Sequence, residues 1–323
     1  MSKKIFIGGA WPYANNSLHL GHIAALLPGD IIARYYRKTG ASVLYVSGTD
    51  CHGTPITLRA KEQGISPKEI ALSYHKEFSE CFKALHFSYD SYTLTHNSFH
   101  EKFVQDTISE LNAKGEFYEK SELQGYCEHC QQFLSDREIE GTCPICGGHA
   151  KGDQCDDCLA TFDADELIDK KCKYCGSPVS KKSNVHLFWK LSNYQNQIAE
   201  YVQSHEHLWR LSAINESQKY LANEGLVDRA ITRELNWGID IPIKDFETKK
   251  VYVWIDAVLG YISAGKKFCI EHGLNWEDFY KDSPDLDSYY VHGKDNIPFH
   301  TIIFPALLLA LNENYQLPNH IVS

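Results

Sequence analysis

The sequence predicts an α/β protein built on a doubly wound parallel sheet that a zinc-knuckle insertion interrupts. Three observations support this fold class. Strand and helix patterns alternate over residues 1–118, four Cys-x-x-Cys pairs crowd residues 119–183, and the mixed pattern returns over residues 184–323. Alternating strands and helices favour a parallel sheet. We therefore expect two halves of one α/β domain on either side of a small metal-binding segment.

Composition limits the class of protein. The chain has 323 residues, a formal net charge of −10 and 43% hydrophobic residues. An acidic chain is a poor general binder of nucleic acid, because most such contacts are made with phosphate. No run of about 18 apolar residues occurs, so no membrane span is expected. The N-terminus lacks the apolar stretch of a signal peptide. These features predict a cytoplasmic globular protein.

The order of elements follows from apolar periodicity. Strands are predicted at residues 4–8, 43–47, 91–94 and 289–292, with a further strand beginning within 318–323. Helices are predicted near residues 20–38, 55–64, 67–85, 98–114, 189–203 and 213–224, with a buried helix from 304. Residues 251–257 are β-like at their start. Pro28-Gly29 predicts a kink or break in the first helix.

The stretch from Gly8 to His22 is a strand-to-helix turn at the start of a βαβ unit. At such a turn the free backbone N–H groups and the helix dipole favour a phosphate. His19 and His22 are three residues apart and share one face of the first helical turn. Two imidazoles there can donate hydrogen bonds to a reacting phosphate, and Gly21 lets a ligand approach the backbone closely. The competing interpretation is an ordinary helix start with two histidines.

Two further turns are predicted at the same edge of the sheet. Residues 48–55 follow the second strand, and there Asp50 is a candidate partner for an ammonium group. The competing role for Asp50 is helix capping. Residues 293–300 follow the strand at 289–292. Turns at the carboxyl edge of a parallel sheet converge on one crevice, so all three are expected to contribute to one site.

The cysteines predict two structural zinc sites. Each Cys-x-x-Cys pair presents two thiolates from one tight turn, and two pairs complete a tetrahedral site with no open position for catalysis. His129 and His149 lie beside the cysteines, but four thiolates per site already suffice. Spacing alone permits either a nested or a sequential pairing of the four pairs. The pairs are Cys127/Cys130, Cys143/Cys146, Cys155/Cys158 and Cys172/Cys175.

Ordered motifs give the chain a family resemblance. Residues 10–15, Ala-Trp-Pro-Tyr-Ala-Asn, with His19-Leu20-Gly21-His22, resemble the start of methionyl-tRNA synthetases of class I. Residues 50–55, 252–261 and 293–300 match later motifs of that family in the same order. The His-x-Gly-His motif alone also occurs in pantetheine- and nicotinate-type nucleotidylyltransferases. The resemblance implies a Rossmann-like nucleotide-binding domain, with the zinc insertion as its connective peptide, and a nested cysteine pairing.

The resemblance also implies roles for individual residues. The residues with implied catalytic roles are His19, His22, Asp50 and Arg233. Those implied to bind ATP are Gly9, His19, Gly21, His22, Gly293 and Asp295. Those implied to bind methionine are Ala10, Trp11, Tyr13, Asp50, Trp254, Ala257, Tyr261, Asn296 and His300. The implied zinc ligands are Cys143, Cys146, Cys155 and Cys158 in one site and Cys127, Cys130, Cys172 and Cys175 in the other.

The implied reaction is activation of methionine with Mg²⁺-ATP and transfer to tRNA(Met). Beyond residue 323 the resemblance implies a Lys-Met-Ser-Lys-Ser loop and an anticodon-binding domain, so we expect the chain to be cut from a longer enzyme. Three positions depart from the family pattern: Trp11 replaces a usual Leu, Val258 a usual Pro, and Asn296 is polar. Two alternatives remain, an inactive fragment or paralogue that binds methionine or adenylate, and a zinc-ribbon nucleic-acid module.

Overall fold

The computed structural model describes residues 3–135, 138–152, 154–155, 157–158, 166–222 and 225–323. The chain divides into two compact units. Met1–Tyr118 and Phe188–Ser323 form the first, here called the catalytic unit after the catalytic residues that the sequence predicts there, and Glu119–Leu187 form the second, here called the insertion. None of the described helices is long and apolar enough to cross a membrane.

The catalytic unit is built on a five-stranded parallel sheet. Its strands are β1 (Lys4–Gly9), β2 (Ser42–Thr49), β3 (Ser91–Leu94), β14 (Leu286–Val291) and β15 (His320–Val322), in the order β15-β14-β1-β2-β3. All four pairings are parallel. The chain moves from β1 outward to β2 on one side and from β14 outward to β15 on the other. The direction of winding therefore reverses between β1 and β14, which is where ligands bind in such sheets.

Helices cover this sheet, and short strands complete the unit. The helices are α1 (Leu20–Lys38), α2 (Thr54–Gln63), α3 (Pro67–Ala84), α4 (Ser98–Ala113), α5 (Gln195–Ser204), α6 (Leu211–Leu221), α7 (Val253–Glu271) and α8 (Phe304–Leu311). The short strands are β11 (Arg229–Ala230), β12 (Thr232–Arg233) and β13 (Lys250–Val251). One side of the sheet buries Ile5, Ile7 and Tyr45 against Ala33 of α1. Burial of these side chains provides the main stabilisation of the layered core.

The insertion consists of short strands around two groups of cysteines. Its strands are β4 (Phe117–Cys127), β5 (Gln132–Phe133), β6 (Ile139–Thr142), β7 (His149–Lys151), β8 (Gln154–Cys155), β9 (Ile168–Cys172) and β10 (Val179–Trp189). β5, β4 and β10 lie side by side, and β8, β7, β6 and β9 form a second sheet. Tight turns at Gly147 and Gly176, both with positive φ, follow cysteine pairs, as glycine permits.

Helix α1 was predicted correctly in extent but not in its continuity. It runs unbroken through Pro28, so the alternative of a break is wrong. The neighbouring Gly29 packs closely against β2, since a Cβ there would lie 2.8 Å from the Tyr45 hydroxyl oxygen. The apolar stripe that indicated the helix is largely exposed, with Ile31 at 58% and Tyr35 at 62%. Periodicity identified the helix without identifying the face that packs.

Two other boundaries differ from the prediction. A helix was expected at 189–203, but Trp189 is the last residue of strand β10 and pairs with Arg229. A 3-10 turn follows, and the helix itself, α5, begins only at Gln195. Antiparallel pairing of the buried Trp189 overrides helix propensity there. The segment 251–257 was expected to begin as a strand, but only its first residue lies in a strand, β13, because helix α7 begins at Val253. The helix predicted at 213–224 is α6; residues 223 and 224 lie outside the described residues.

Candidate active site and metal centres

A cavity of about 460 Å³ lies at the carboxyl ends of β1, β2 and β14 in the catalytic unit. It occupies the place where the sheet's winding reverses. Its lining comes from all three predicted turns and from helix α7. The lining residues are Ala10, Trp11, Pro12, Tyr13, Asn15, His19, Gly21, His22, Ala25, Leu26, Asp50, Trp254, Ala257, Val258, Tyr261, Gly293, Asp295, Asn296 and His300.

The structure brings together nearly all the residues named from the sequence. The exceptions are Gly9 and Arg233, which are not in the described lining. Gly9 lies at the end of β1, where a Cβ would come within 3.2 Å of Ser47. Arg233 lies in β12, where its guanidinium donates to the Ala230 and Thr232 carbonyls and stacks over Tyr252 at 4.0 Å. Its predicted catalytic role stays a prediction.

The two histidines at the start of α1 form a reciprocal cap. The Gly21 N–H donates to His19 Nδ1 at 3.0 Å, and the His19 N–H donates to His22 Nδ1 at 3.2 Å. Because each Nδ1 accepts a hydrogen bond, each neutral ring carries its proton on Nε2. Burial lowers the pKa of His22, and neighbouring His19 lowers it further. The pair therefore presents two Nε2–H donors at a helix N-terminus, a suitable arrangement for an anion.

Asp50 is a buried carboxylate in the cavity wall. Asp50 is only 2% exposed, and its carboxylate accepts a hydrogen bond from the His52 N–H at 3.2 Å. Burial, and then the nearby charge of Asp256, raise the pKa of Asp50 well above its usual range. A cation placed beside Asp50 would offset this cost of ionisation. Asp50 is therefore suited to bind an ammonium group.

Aromatic side chains form the apolar part of the cavity. Trp254 stacks on Phe299 with 3.8 Å between ring centroids and meets the Tyr13 ring edge-on at 6.1 Å. Trp11 fills space that glycines leave open, since a Cβ at Gly48 or Gly260 would lie 2.1 or 2.8 Å from its ring. Aromatic walls suit a thioether, because sulfur–aromatic contacts contribute about 0.3–1.5 kcal/mol each.

Tyr261 and His300 close the deep end of the cavity through a hydrogen bond of 2.8 Å. His300 Nδ1 donates to the Asn296 carbonyl at 2.8 Å, so its Nε2 accepts from the Tyr261 hydroxyl. His300 lies in a π-helical turn, Phe299–Ile303, a feature common at functional sites. Burial, and then neighbouring His292, lower the pKa of His300 well below its usual range. The imidazole is therefore neutral and fixed in one tautomer.

A buried network behind the wall was not anticipated from the sequence. Asp256 is 1% exposed and receives hydrogen bonds from His52 at 2.7 Å and His100 at 2.6 Å. Burial opposes ionisation, but the two histidines outweigh it and lower the pKa of Asp256 to about 2. The only sequence signal was the presence of Asp256 and His52 inside two of the matched motifs.

The second histidine of the network has a hydrogen-bond partner at both ring nitrogens. His100 Nε2 lies 2.6 Å from Asp256 Oδ1, and His100 Nδ1 lies 2.7 Å from the Ser263 hydroxyl oxygen. The Ser263 hydroxyl also lies 3.2 Å from the Gly260 carbonyl oxygen. These hydrogen bonds satisfy a carboxylate that is almost fully buried next to the cavity.

The cysteines of the insertion form two tetrads with nested pairing. Cys127, Cys130, Cys172 and Cys175 make one group, and Cys143, Cys146, Cys155 and Cys158 make the other. Four sulfur pairs are separated by 3.4 to 3.9 Å. Zn–S bonds of about 2.3 Å in a tetrahedron put sulfurs about 3.8 Å apart. The donor set and its spacing therefore fit zinc, and the grouping of the four cysteine pairs is nested.

Hydrogen bonds lower the pKa of two of the thiols, Cys143 and Cys175, whereas the hydrogen bond with Cys175 raises that of Cys130 to about 12. The Cys130 N–H donates to Cys127 Sγ at 3.3 Å, as knuckle turns do. Burial raises the pKa of the Cys143 thiol, but the N–H groups of Cys146 and Ile145 lower it to about 7. Hydrogen bonds from Ser177 lower the pKa of Cys175 to about 6. Of the nearby histidines, His149 pairs with Glu140 at 3.6 Å.

Comparison with known proteins agrees with this geometry. A family model described as tRNA synthetases class I (M) matches residues 5–323. Methionine--tRNA ligase 1 of Alkaliphilus oremlandii is 54% identical over 319 residues, and methionine--tRNA ligase of Bacillus cereus strain B4264 is 52% identical over 321. The alignments cover 99% of this chain, which spans 58% of the length of each relative.

A solved structure shares the fold. Methionyl-tRNA synthetase of Mycobacterium tuberculosis bound by methionyl-adenylate superposes with a TM-score of 0.72 at 22% identity. The match covers 99% of this chain and 57% of that one. The parallel sheet and the insertion therefore have a counterpart of known structure.

Proposed function

The chain belongs to the class I tRNA synthetases of the methionyl type, and on that premise we propose that its cavity activates methionine with ATP. The methionine carboxylate attacks the α-phosphate of ATP, the bond to the leaving phosphate breaks, and methionyl adenylate and pyrophosphate form. The observation that carries the proposal is the convergence of His19, His22 and Asp50 on one cavity at the winding reversal. No covalent intermediate with the protein is required, so catalysis consists of positioning and electrostatic stabilisation.

The proposed roles follow from the chemistry of each wall. His19 and His22 donate from Nε2 to the α-phosphate in the transition state, where charge develops. Gly293 and Asp295, after β14, bind the ribose and adenine. Asp50 holds the methionine ammonium. The thioether lies among the remaining wall residues, Ala10, Trp11, Tyr13, Trp254, Ala257, Tyr261, Asn296 and His300.

Metals and partners complete the proposal. Zn²⁺ in each cysteine tetrad is structural, because four thiolates leave no open position. Mg²⁺ enters with ATP and neutralises phosphate charge. The relatives' names point to a tRNA as the acceptor of the methionyl group, and we propose that this is tRNA(Met). The proposed setting is the cytoplasm, where thiols stay reduced. Gly9 supports the turn under ATP, and Arg233 is proposed to pair with a carboxylate near the site.

Methionine-dependent ATP–pyrophosphate exchange tests the proposal on this 323-residue chain. Exchange is expected in the wild type and should fall about 10²–10³-fold in His22→Ala, because one donor to the transition state is lost. Methionine binding, measured by calorimetry, should change little. His207→Ala is the matched control, since His207 is exposed on the surface and outside the cavity lining.

A second variant separates binding from chemistry. Asp50→Asn should weaken methionine binding about 10- to 100-fold, as expected for loss of a charged hydrogen bond of about 1.5–3 kcal/mol. Wild-type protein that binds methionine without exchange would contradict activation by this chain. Absence of both binding and exchange would remove the methionine assignment as well.

A further inference from the structure

A group of metal-ligand residues lies outside the cavity lining and outside the cysteine tetrads. His52, His96 and Glu101 each offer one donor atom, and these atoms all lie within 4.8 Å of one another. None of the proposed catalytic roles uses them. The donor set of two imidazoles and one carboxylate is typical of zinc sites with an open coordination position.

The parallel sheet brings these residues together. His52 lies in the turn after β2, and His96 lies in the turn after the neighbouring strand β3. The Cys51 N–H donates to Thr95 Oγ1 at 2.9 Å and ties the two turns. Glu101 lies in the first turn of α4. The backbone positions of the three residues are therefore set by the fold.

His52 is oriented as metal-ligating histidines are. Its Nδ1 bonds to Asp256 Oδ2 at 2.7 Å, and Asp256 is almost fully buried. Its other nitrogen, Nε2, makes no hydrogen bond among the residues that the structure describes. A carboxylate on one imidazole nitrogen fixes the ring and raises the basicity of the other nitrogen for a metal. Asp256 therefore holds the His52 ring in place and leaves Nε2 available to an ion.

The other two residues provide access and enclosure. His96 Nδ1 and Glu101 Oε1 lie 2.9 Å apart, and their side chains are 24% and 35% exposed. Trp237 packs against both imidazoles, with ring centroids 5.5 Å from His52 and 4.8 Å from His96. Its Nε1 donates to the Cys51 carbonyl at 2.6 Å. The group thus has one apolar wall and one side open to an ion.

We propose that His52, His96 and Glu101 bind a third divalent ion of the zinc class, with water as the fourth ligand. Zn–N bonds of about 2.0–2.1 Å place tetrahedral ligands about 3.4 Å apart. Rotation of the two part-exposed side chains closes the remaining gap. The ion would clamp the turn after β2 to that after β3, beside Asp50. This inference is independent of methionine activation.

The experiment is equilibrium dialysis of the full chain against Zn²⁺ alone, followed by metal analysis. Three ions per chain are expected, two in the cysteine tetrads and one here. Glu101→Gln, which keeps the size of the side chain, and His96→Ala should each reduce the number to two. His149→Ala is the matched control, because this exposed histidine lies in the insertion and pairs with Glu140; it should retain three.

Variants of the buried ligand His52 and of its partner Asp256 distinguish a preformed metal site from binding by the part-exposed His96 and Glu101 alone. His52→Gln and Asp256→Asn should weaken the third ion at least about 10-fold, as loss of a ligand or its orienting partner does. Two ions in the wild type, or three with unchanged affinity in the His52 and Glu101 variants, would overturn the proposal. If a buried variant does not fold, the part-exposed Glu101→Gln and His96→Ala decide the outcome.

Discussion

The catalytic unit and the insertion differ in the side chains that make up their buried clusters. In the catalytic unit, one buried cluster consists of Ile5, Ile7, Ala33, Tyr45 and Val291, all without thiols. In the insertion, four of the eight buried cluster residues are Cys127, Cys143, Cys155 and Cys172. A segment with so small an apolar core is expected to need metal–thiolate bonds to fold. We therefore expect the stability of one unit to depend on apolar packing and that of the other on metal.

The largest expected difference is the response to metal removal. Strong chelation should unfold the insertion, because zinc binding in small domains contributes about 10–16 kcal/mol of apparent folding free energy. Hydrogen exchange should accelerate in β6 and β9 and stay slow in β1 and β14. Equal protection of β6 with and without chelator would show that the insertion folds without metal, and would contradict the expected difference between the two units.

Truncation of a buried apolar side chain should destabilise the catalytic unit whether or not metal is present. Ile7→Ala removes a fully buried side chain in β1 and should lower the unfolding free energy of the catalytic unit by about 2–5 kcal/mol. The loss should be the same with and without chelator. Ile145→Ala, at an exposed position of the insertion, is the control and should stay within about 0.5 kcal/mol. A metal-dependent loss in Ile7→Ala would argue against independent stabilisation.

Close packing around the cavity gives a smaller effect. In Gly48→Ala, the new Cβ would lie 2.1 Å from the Trp11 ring and 2.6 Å from the Thr93 carbonyl oxygen. Overpacking of this kind should cost about 1–3 kcal/mol, measured by denaturant unfolding of the zinc-loaded protein. Gly293→Ala is the control, since a Cβ there meets no atom within 4 Å. Equal stability of the two variants would mean that Trp11 is not held tightly.

The smallest expected effect is pH-dependent. Burial raises the pKa of Asp30, but hydrogen bonds from Arg34 and Ser88 outweigh it and lower the pKa below its usual value. A lowered folded pKa stabilises the fold above the unfolded value of about 3.9, and this contribution disappears as the pH falls through the folded pKa. Asp30→Asn should therefore cost about 1 kcal/mol at neutral pH and less in acid.

Thermal unfolding followed between pH 2 and pH 7 measures this difference. Asp106→Asn is the control, because Asp106 forms an exposed pair with Lys102 that should contribute little. A cost for Asp30→Asn that does not change with pH would assign the effect to packing and not to charge.

Sequence reasoning succeeded where a local pattern sets the structure. The turn from Gly8 to His22 was located because an apolar strand, a turn and a helical period follow each other directly, and its histidines do lie at the N-terminus of α1. It failed where distant contacts decide. Trp189 was assigned to a helix, but pairing with Arg229 makes it a strand residue. The residues of a strand do not by themselves specify which other strand it pairs with.

The sequence by itself determined the α/β class and the cysteine knuckles, because local spacing sets turns and caps, and the family resemblance named most residues of the cavity wall. Spacing left the cysteine pairing open, and the nested tetrads follow from the antiparallel pairing of β6 with β9. Only the tertiary structure placed Arg233 outside the cavity lining and brought His52, His100 and Asp256 together. These contacts join residues more than 150 positions apart in the chain, and long-range packing is the interaction that no local pattern contains.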